Sequence, residues 1–213
     1  NKRSVVLDLN TLEGQARLGE LAADAHGLIT NLRPETIRRF GLTYEQLRRH
    51  NEALVCVALT GFGLDGPYAD KPAYDYIVQA LTGVMTLTGD PGAAPTKAGY
   101  SAVDNSTGMM GAVGMLAKII EGKGGQVDVS LFDTMLSQLN YLASGYLNHG
   151  SVPQRTANSA HPYMVPAQVF ESRDGFLMLF VSTDKFWKKF CDVAGWPERA
   201  DDPQFATMTA RSE

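Results

Sequence analysis

The sequence predicts an α/β fold built on a parallel sheet, and three features carry that expectation. Residues 5–9 are a β-branched and leucine run, residues 11–23 space their apolar side chains at helical period, and residues 26–30 read as a second strand. Strand, helix, strand is the unit from which parallel sheets are assembled. Residues 54–60 are apolar throughout, as a strand is when layers cover both of its faces. The composition agrees with a folded chain: 213 residues, 44% hydrophobic and 20% charged, enough for one large core or slightly more than one domain.

The remaining elements follow in order. Pro34 suits the first turn of a short helix that ends near Phe40-Gly41. Thr43 and Gln46 stand at capping-box spacing and start another short helix. Residues 61–72 form a loop dense in Gly, Pro and Asp, residues 74–82 a helix, and a Gly- and Pro-rich loop runs on to Tyr100. A helix rich in Gly and Met is expected over 106–121, stopped by Gly122-Lys123-Gly124-Gly125, with Met109, Met110 and Met115 packing the core. Residues 127–130 read as a strand, and Ser130 with Asp133 caps a long helix to about His149.

The character changes after a polar link at 151–159. A hairpin is expected around Ser172-Arg173-Asp174-Gly175, then an amphipathic helix with Phe186, Trp187, Phe190 and Val193 on one side. The boundary is placed near residue 160. Residues 1–160 form an α/β domain and 161–213 begin a smaller α+β domain. Asn1 leads directly into an apolar run and Glu213 follows a helical stretch, so both ends read as cuts through a longer protein.

Several classes of function receive no support. The net charge of −4 offers no basic patch for nucleic acid or an anionic membrane. No run approaches the roughly 18 apolar residues of a membrane helix, and no signal peptide opens the chain. The two cysteines in separate segments suit a reduced, cytoplasmic protein. Cys56 and Cys191 lack CxxC spacing and read as reduced, inert thiols. His26, His50, His149 and His161 share no metal-ligand spacing, so no metal is expected. The glycines of 61–66 lack the Lys-Ser/Thr ending of a P-loop, and no GxGxxG fingerprint follows either early strand. No serine sits in the Gly-x-Ser-x-Gly turn of a hydrolase nucleophile.

One carboxylate stands out on position. Asp104 lies in Val103-Asp104-Asn105-Ser106-Thr107-Gly108, a turn read as preceding the Met/Gly-rich helix. There the helix's free N–H groups favour its ionised form and burial opposes it. By itself that position reads as an N-cap.

A set of motifs then agrees in order and spacing with one family. Asn1-Lys2-Arg3-Ser4-Val5-Val6-Leu7-Asp8-Leu9, Asn31-Leu32-Arg33-Pro34, Gly61-Phe62-Gly63-Leu64-Asp65-Gly66-Pro67-Tyr68 and Pro72-Ala73-Tyr74-Asp75 open it. Ala102-Val103-Asp104-Asn105-Ser106-Thr107-Gly108, Gly124-Gly125-Gln126-Val127-Asp128-Val129-Ser130-Leu131 and His161-Pro162-Tyr163 continue it. Together these resemble the family III CoA transferases, whose relatives include formyl-CoA and carnitine-CoA transferases and α-methylacyl-CoA racemases.

The resemblance implies a Rossmann-like CoA-binding domain in a protein about twice this length, working as an intertwined homodimer. It implies coenzyme A or an acyl-CoA as substrate, with a small carboxylic acid as the second reactant and no prosthetic group. It puts the family's catalytic aspartate on Asp104, CoA contacts on Asn31 and Leu32, and Arg39 and Phe40 beside the adenine and phosphate end. Tyr74 falls where racemase members carry histidine. A phenol with a pKa near 10 is a poor base at neutral pH, which favours transfer over proton abstraction. His161 is kept as a residue near the substrate. A racemase-type isomerase and a CoA-binding or dimerisation module without activity are the alternatives.

Overall fold

A computed structural model describes all of residues 1–213. The chain folds as two compact units, residues 1–85 with 97–151, and residues 86–96 with 152–213.

The first unit is organised by a three-stranded parallel sheet: β1 (Gly27–Thr30), β2 (Val55–Thr60) and β3 (Gly125–Ser130), with β2 central. Gly27 pairs with Val55 and Thr30 with Ala58; Val55 pairs with Gly125 and Thr60 with Ser130. Alternate side chains of a strand point to opposite faces, and both faces of β2 are covered. Cys56 and Ala58 pack towards α1 (Leu12–Ala23), α2 (Pro34–Arg39) and α3 (Tyr44–Leu47), in clusters that include Ala22, Ile37, Leu42 and Leu47. Val57 and Leu59 lie against α6 (Ala102–Glu121). That sandwich explains why residues 54–60 carry no polar face. The sheet is the α/β core that the sequence predicts.

Close approach of α6 depends on small residues. A Cβ on Gly111 would meet Leu59 at 2.6 Å and Val57 at 3.2 Å. The side of α6 away from the sheet is apolar but open, with Met109, Val113, Leu116 and Ile120 exposed.

Two helices, α4 (Asp75–Leu81) and the one-turn α5 (Val84–Leu87), precede α6; α7 (Leu131–Ser137) and α8 (Asn140–His149) follow β3. Val78 of α4, Val103 of α6 and Met135 of α7 form a third buried cluster. The predicted caps are in place. Thr43 and Gln46 make a reciprocal capping box, and the Ser130 hydroxyl accepts from the Asp133 amide at 2.9 Å.

In this unit four expectations need correction. Residues 5–9 form no strand, and Val6 is 94% exposed. A β-branched run becomes a strand only where another strand's backbone meets it, and β1 pairs with β2 alone. The Met/Gly-rich helix starts at Ala102, four residues earlier than expected, so Asp104 lies inside its first turn. The helix expected from Ser130 to His149 is two, interrupted around Gln138 and Leu139, with Asn140 at φ 48°. Met109 and Met110 are exposed, and Met115 alone of the three sits against the sheet, beside Gly27.

The second unit contains the hairpin β4 (Ala167–Ser172) and β5 (Gly175–Phe180), joined by Arg173-Asp174 as the sequence predicts. Two more helices follow, α9 (Asp184–Ala194) and α10 (Met208–Ser212). Its core is Val181, Trp187 and Cys191, with Phe190 and Phe205 packed against them. The apolar face of α9 is therefore centred on Trp187 and Cys191, whereas Phe186 and Val193 face outward. Arg211 of α10 ties this unit together. It donates to the carbonyls of Val165 at 2.9 Å and Phe205 at 2.7 Å, and pairs with Asp184 at 2.9 Å.

Candidate functional site

The C-terminal ends of parallel strands are where open α/β folds place their ligands, because the chain leaves each strand there into a loop or a helix N-terminus. In this protein those ends open into a cleft of about 460 Å³. Asn31 and Leu32 follow β1, Thr60 and Gly61 close β2, and Leu131 follows β3; all five line it. Arg33, Lys71, Tyr74, Asp75, Asp104 and Thr107 are among the other residues of its wall.

Asp104 enters the cleft from the first turn of α6, and its carboxylate makes no hydrogen bond within the chain. That turn is capped from elsewhere. Ser101, at the N-cap position, forms no side-chain cap. Instead the carboxylate of Asp75, the first residue of α4, accepts from the backbone N–H of Val103 at 2.8 Å and of Asp104 at 3.2 Å. Its other oxygen accepts from the Gln79 side-chain amide at 2.6 Å. Gln79 in turn accepts from the Ala98 amide at 2.8 Å. The buried chain Ala98–Gln79–Asp75–α6 thus supplies the partners a helix start lacks, and Asp104 is released from the capping role its sequence position suggests.

The electrostatics follow from that arrangement. The Asp104 carboxyl is raised from its ordinary value, first by partial loss of water and second by the Asp75 charge behind it. Its position in the first turn of a helix pulls the other way; desolvation and the neighbouring carboxylate prevail.

The loop 61–72 is held over the strand ends by two side chains. Arg38 donates to the Leu64 carbonyl and pairs with Asp65 at 2.8 Å, while Asp128 of β3 accepts from the Leu64 amide at 2.8 Å. Burial pushes the Asp128 carboxyl up, and the Leu64 amide only partly opposes it.

Of the residues singled out by sequence, Asn31, Leu32, Tyr74 and Asp104 line the same cleft. Tyr74 stands at the start of α4 with its side chain largely in solvent. Arg39 and Phe40 lie outside the cleft, at the end of α2, with the Arg39 guanidinium stacked 4.6 Å from the Phe40 ring centre. His161 belongs to the second unit, where its Nδ1 accepts from the Tyr163 amide at 3.1 Å and its ring meets Phe180 edge-on. Sequence reasoning assigned no role to Asp75, Lys71 or Thr107. Asp75 stood inside the quoted Pro-Ala-Tyr-Asp motif, but an acid at a helix start reads as an ordinary first-turn residue. Its partner, 28 residues away, leaves no trace in local spacing.

Comparison with known proteins places the chain in a family. The chain belongs to CoA-transferase family III, which it matches over residues 1–213. It is 39% identical to the succinate–glutarate CoA-transferase of Agrobacterium fabrum, over 99% of this chain and 53% of that protein. It is 37% identical to the acetyl-CoA:oxalate CoA-transferase of Acetobacter aceti, over 96% of this chain and 54% of that protein. A CaiB/BaiF family protein from Brucella suis has a similar crystal structure, with a TM-score of 0.79 and 36% identity over 98% of this chain and 56% of that one. The chain spans about half the length of the curated relatives it matches.

Proposed function

We propose that the protein transfers CoA between carboxylic acids, with Asp104 as the covalent nucleophile. One observation carries this reading: a carboxylate with no hydrogen-bond partner, raised in proton affinity, opens into a cleft at the C-terminal ends of a parallel sheet. A carboxylate that only caps its helix would be engaged with the helix, and Asp75 holds that place instead. The relatives' names, which describe CoA transfer between small acids, point to the same chemistry.

In this mechanism an Asp104 carboxylate oxygen attacks the carbonyl carbon of an acyl-CoA thioester. The C–S bond breaks, CoA leaves as thiolate and an aspartyl mixed anhydride forms. The thiolate then attacks the aspartyl carbonyl carbon, releasing the donor acid as carboxylate and leaving an aspartyl-CoA thioester. An acceptor carboxylate attacks the carbonyl carbon of that thioester, expelling CoA thiolate and forming a second mixed anhydride. The thiolate then attacks the acceptor's acyl carbon, giving the new acyl-CoA and releasing the Asp104 carboxylate. Raised proton affinity makes an ionised carboxylate a better nucleophile. Exclusion of water matters equally, because water reaching the anhydride turns transfer into thioester hydrolysis.

Asn31 and Leu32 are proposed to contact the CoA, with Tyr74 at the cleft's edge. Residues 1–160 are proposed as the CoA-binding and catalytic part, and an intertwined homodimer as the working assembly. Arg39 and Phe40 serve the nucleotide end only if CoA extends beyond the cleft.

The test is trapping. The full-length protein is incubated with an acyl-CoA, treated with hydroxylamine and digested for mass spectrometry. A hydroxamate on Asp104, absent from Asp104→Asn, is the expected result. No adduct together with exchange of the substrate's α-proton into deuterated water would replace transfer by isomerisation. CoA binding with neither signal would leave a binding module.

A further inference from the structure

Resting on the reading of Asp104 as nucleophile, we infer that Asp75 is a positioning residue, holding Asp104 through the backbone of α6 and through a buried amide relay to Ala98. The geometry fits that role closely. Asp75, at the wall of the cleft, is 6% exposed and Gln79 is fully buried, so both side chains depend mainly on partners within the chain. Each Asp75 oxygen has a defined donor: Gln79 on one side, the Val103 and Asp104 amides on the other. One of those amides belongs to the nucleophile itself. Asp75 therefore fixes the backbone from which the reactive carboxylate projects, and it does so from a separate helix 28 residues earlier. Gln79 extends the hold to the segment entering α6, because its carbonyl oxygen accepts from Ala98. A buried carboxylate also places a fixed negative charge behind the nucleophile, with consequences for the pH at which Asp104 ionises. The other charged or titratable groups along that cleft are Arg33, Lys71 and Tyr74.

The relay also specifies its own test. Asp75→Asn keeps an oxygen for the two α6 amides but turns an NH₂ towards the NH₂ of Gln79, so the link is broken by donor facing donor. Adding Gln79→Glu restores it: the introduced amide donates to the introduced carboxylate, whose second oxygen accepts from Ala98. The double variant keeps every hydrogen bond of the relay and moves the negative charge from position 75 to position 79, about one turn along α4. It also covers the case in which the single variant fails to fold.

The full-length wild type, Asp75→Asn and Asp75→Asn/Gln79→Glu are compared by kcat and KM for acyl-CoA over a pH series, with the Asp104 adduct mapped in each. Displacing a reacting group by about 1 Å costs on the order of a hundredfold in rate. The single variant is expected to lose at least about tenfold in kcat, with KM little changed. The double variant should recover most of that loss. In both, the acid limb of the profile should move to lower pH, because Asp104 then ionises without the adjacent charge. A merely structural role would lower the melting temperature of the single variant and leave the kcat of its folded fraction at the wild-type value. Folded variants that match wild type in kcat overturn the inference. A wild type that forms no adduct on Asp104 overturns the nucleophile assignment instead, so the two failures are distinguishable.

Discussion

At the scale of the residue, the Asp104 carboxyl binds its proton more tightly in the folded protein than in an unfolded chain, because it has lost water and faces Asp75. A group with a raised folded pKa works against stability as pH climbs from its unfolded value through its folded one, since the folded state must then give up a proton it holds more strongly. Above that window Asp104 is ionised at a cost to the fold. Asp104→Asn is therefore expected to abolish adduct formation while leaving the melting temperature equal to or above that of wild type at neutral pH. Below the ordinary carboxylate range the two proteins should converge. A melting temperature clearly lowered at pH 7 would mean that Asp104 is a structural cap after all. This opposition between function and stability is common at sites that hold reactive groups in place. It also shows what the sequence could deliver at this scale. Asp104, Asn31, Leu32 and Tyr74 were legible from motifs, and they share one cleft. Asp75 was not, because its importance lies in two amides of a distant helix.

At the scale of the element, α6 shows how one residue type acts in opposite ways along a single helix. Gly111 faces the sheet, where a Cβ would lie 2.6 Å from Leu59; Gly108 faces open space with nothing within 4 Å. Gly111→Val forces Leu59 and Val57 to move, and overpacking of this kind costs about 2 kcal/mol. For a chain of this length that is roughly 4–8 °C of melting temperature. Gly108→Ala, by contrast, should stabilise by up to about 1 kcal/mol, the helix-propensity difference between the two residues. Thermal melts of the two variants check both signs at once, and a stabilising Gly111→Val would refute the close packing of α6 on β2. Periodicity could identify α6 as a helix but could not say which glycine touches the sheet. It also misjudged the start of the helix, because Ser101 offers no side-chain cap and the cap that exists comes from α4. Strand β2 was legible because a parallel strand covered on both faces leaves an unbroken apolar run. Strands β1 and β3, at the sheet's edges, showed only as short runs of β-branched residues and leucine. Residues 5–9 have the same local composition and form no strand, since pairing depends on what lies beside them.

At the scale of the whole molecule, each compact unit carries its own core and one buried cysteine: Cys56 within the sheet of the first, Cys191 within the aromatic cluster of the second. Burial pushes the Cys56 thiol up to about 12 and raises that of Cys191 as well. Neither is a thiolate at neutral pH, and a thiol reagent can reach either one only when its surroundings open. The labelling rates of the two cysteines, resolved by peptide mapping, therefore report the opening of each unit separately. Arg211 provides the perturbation. Its side chain is only 2% exposed, it pairs with Asp184, and its guanidinium lies 5.1 Å from the Trp187 ring centre. Arg211→Met keeps most of the stem's packing but removes the charge and strands the carbonyls of Val165 and Phe205. Asp184 is half exposed and keeps water as a partner. The cost therefore lies in the two stranded carbonyls, about 3 kcal/mol together, which corresponds to labelling of Cys191 on the order of a hundredfold faster. Cys56, in a unit whose core Arg211 does not touch, should label at the wild-type rate. Equal acceleration of both cysteines would show that the two units open as one cooperative body, in which case a lesion in the second unit would also disturb the cleft around Asp104.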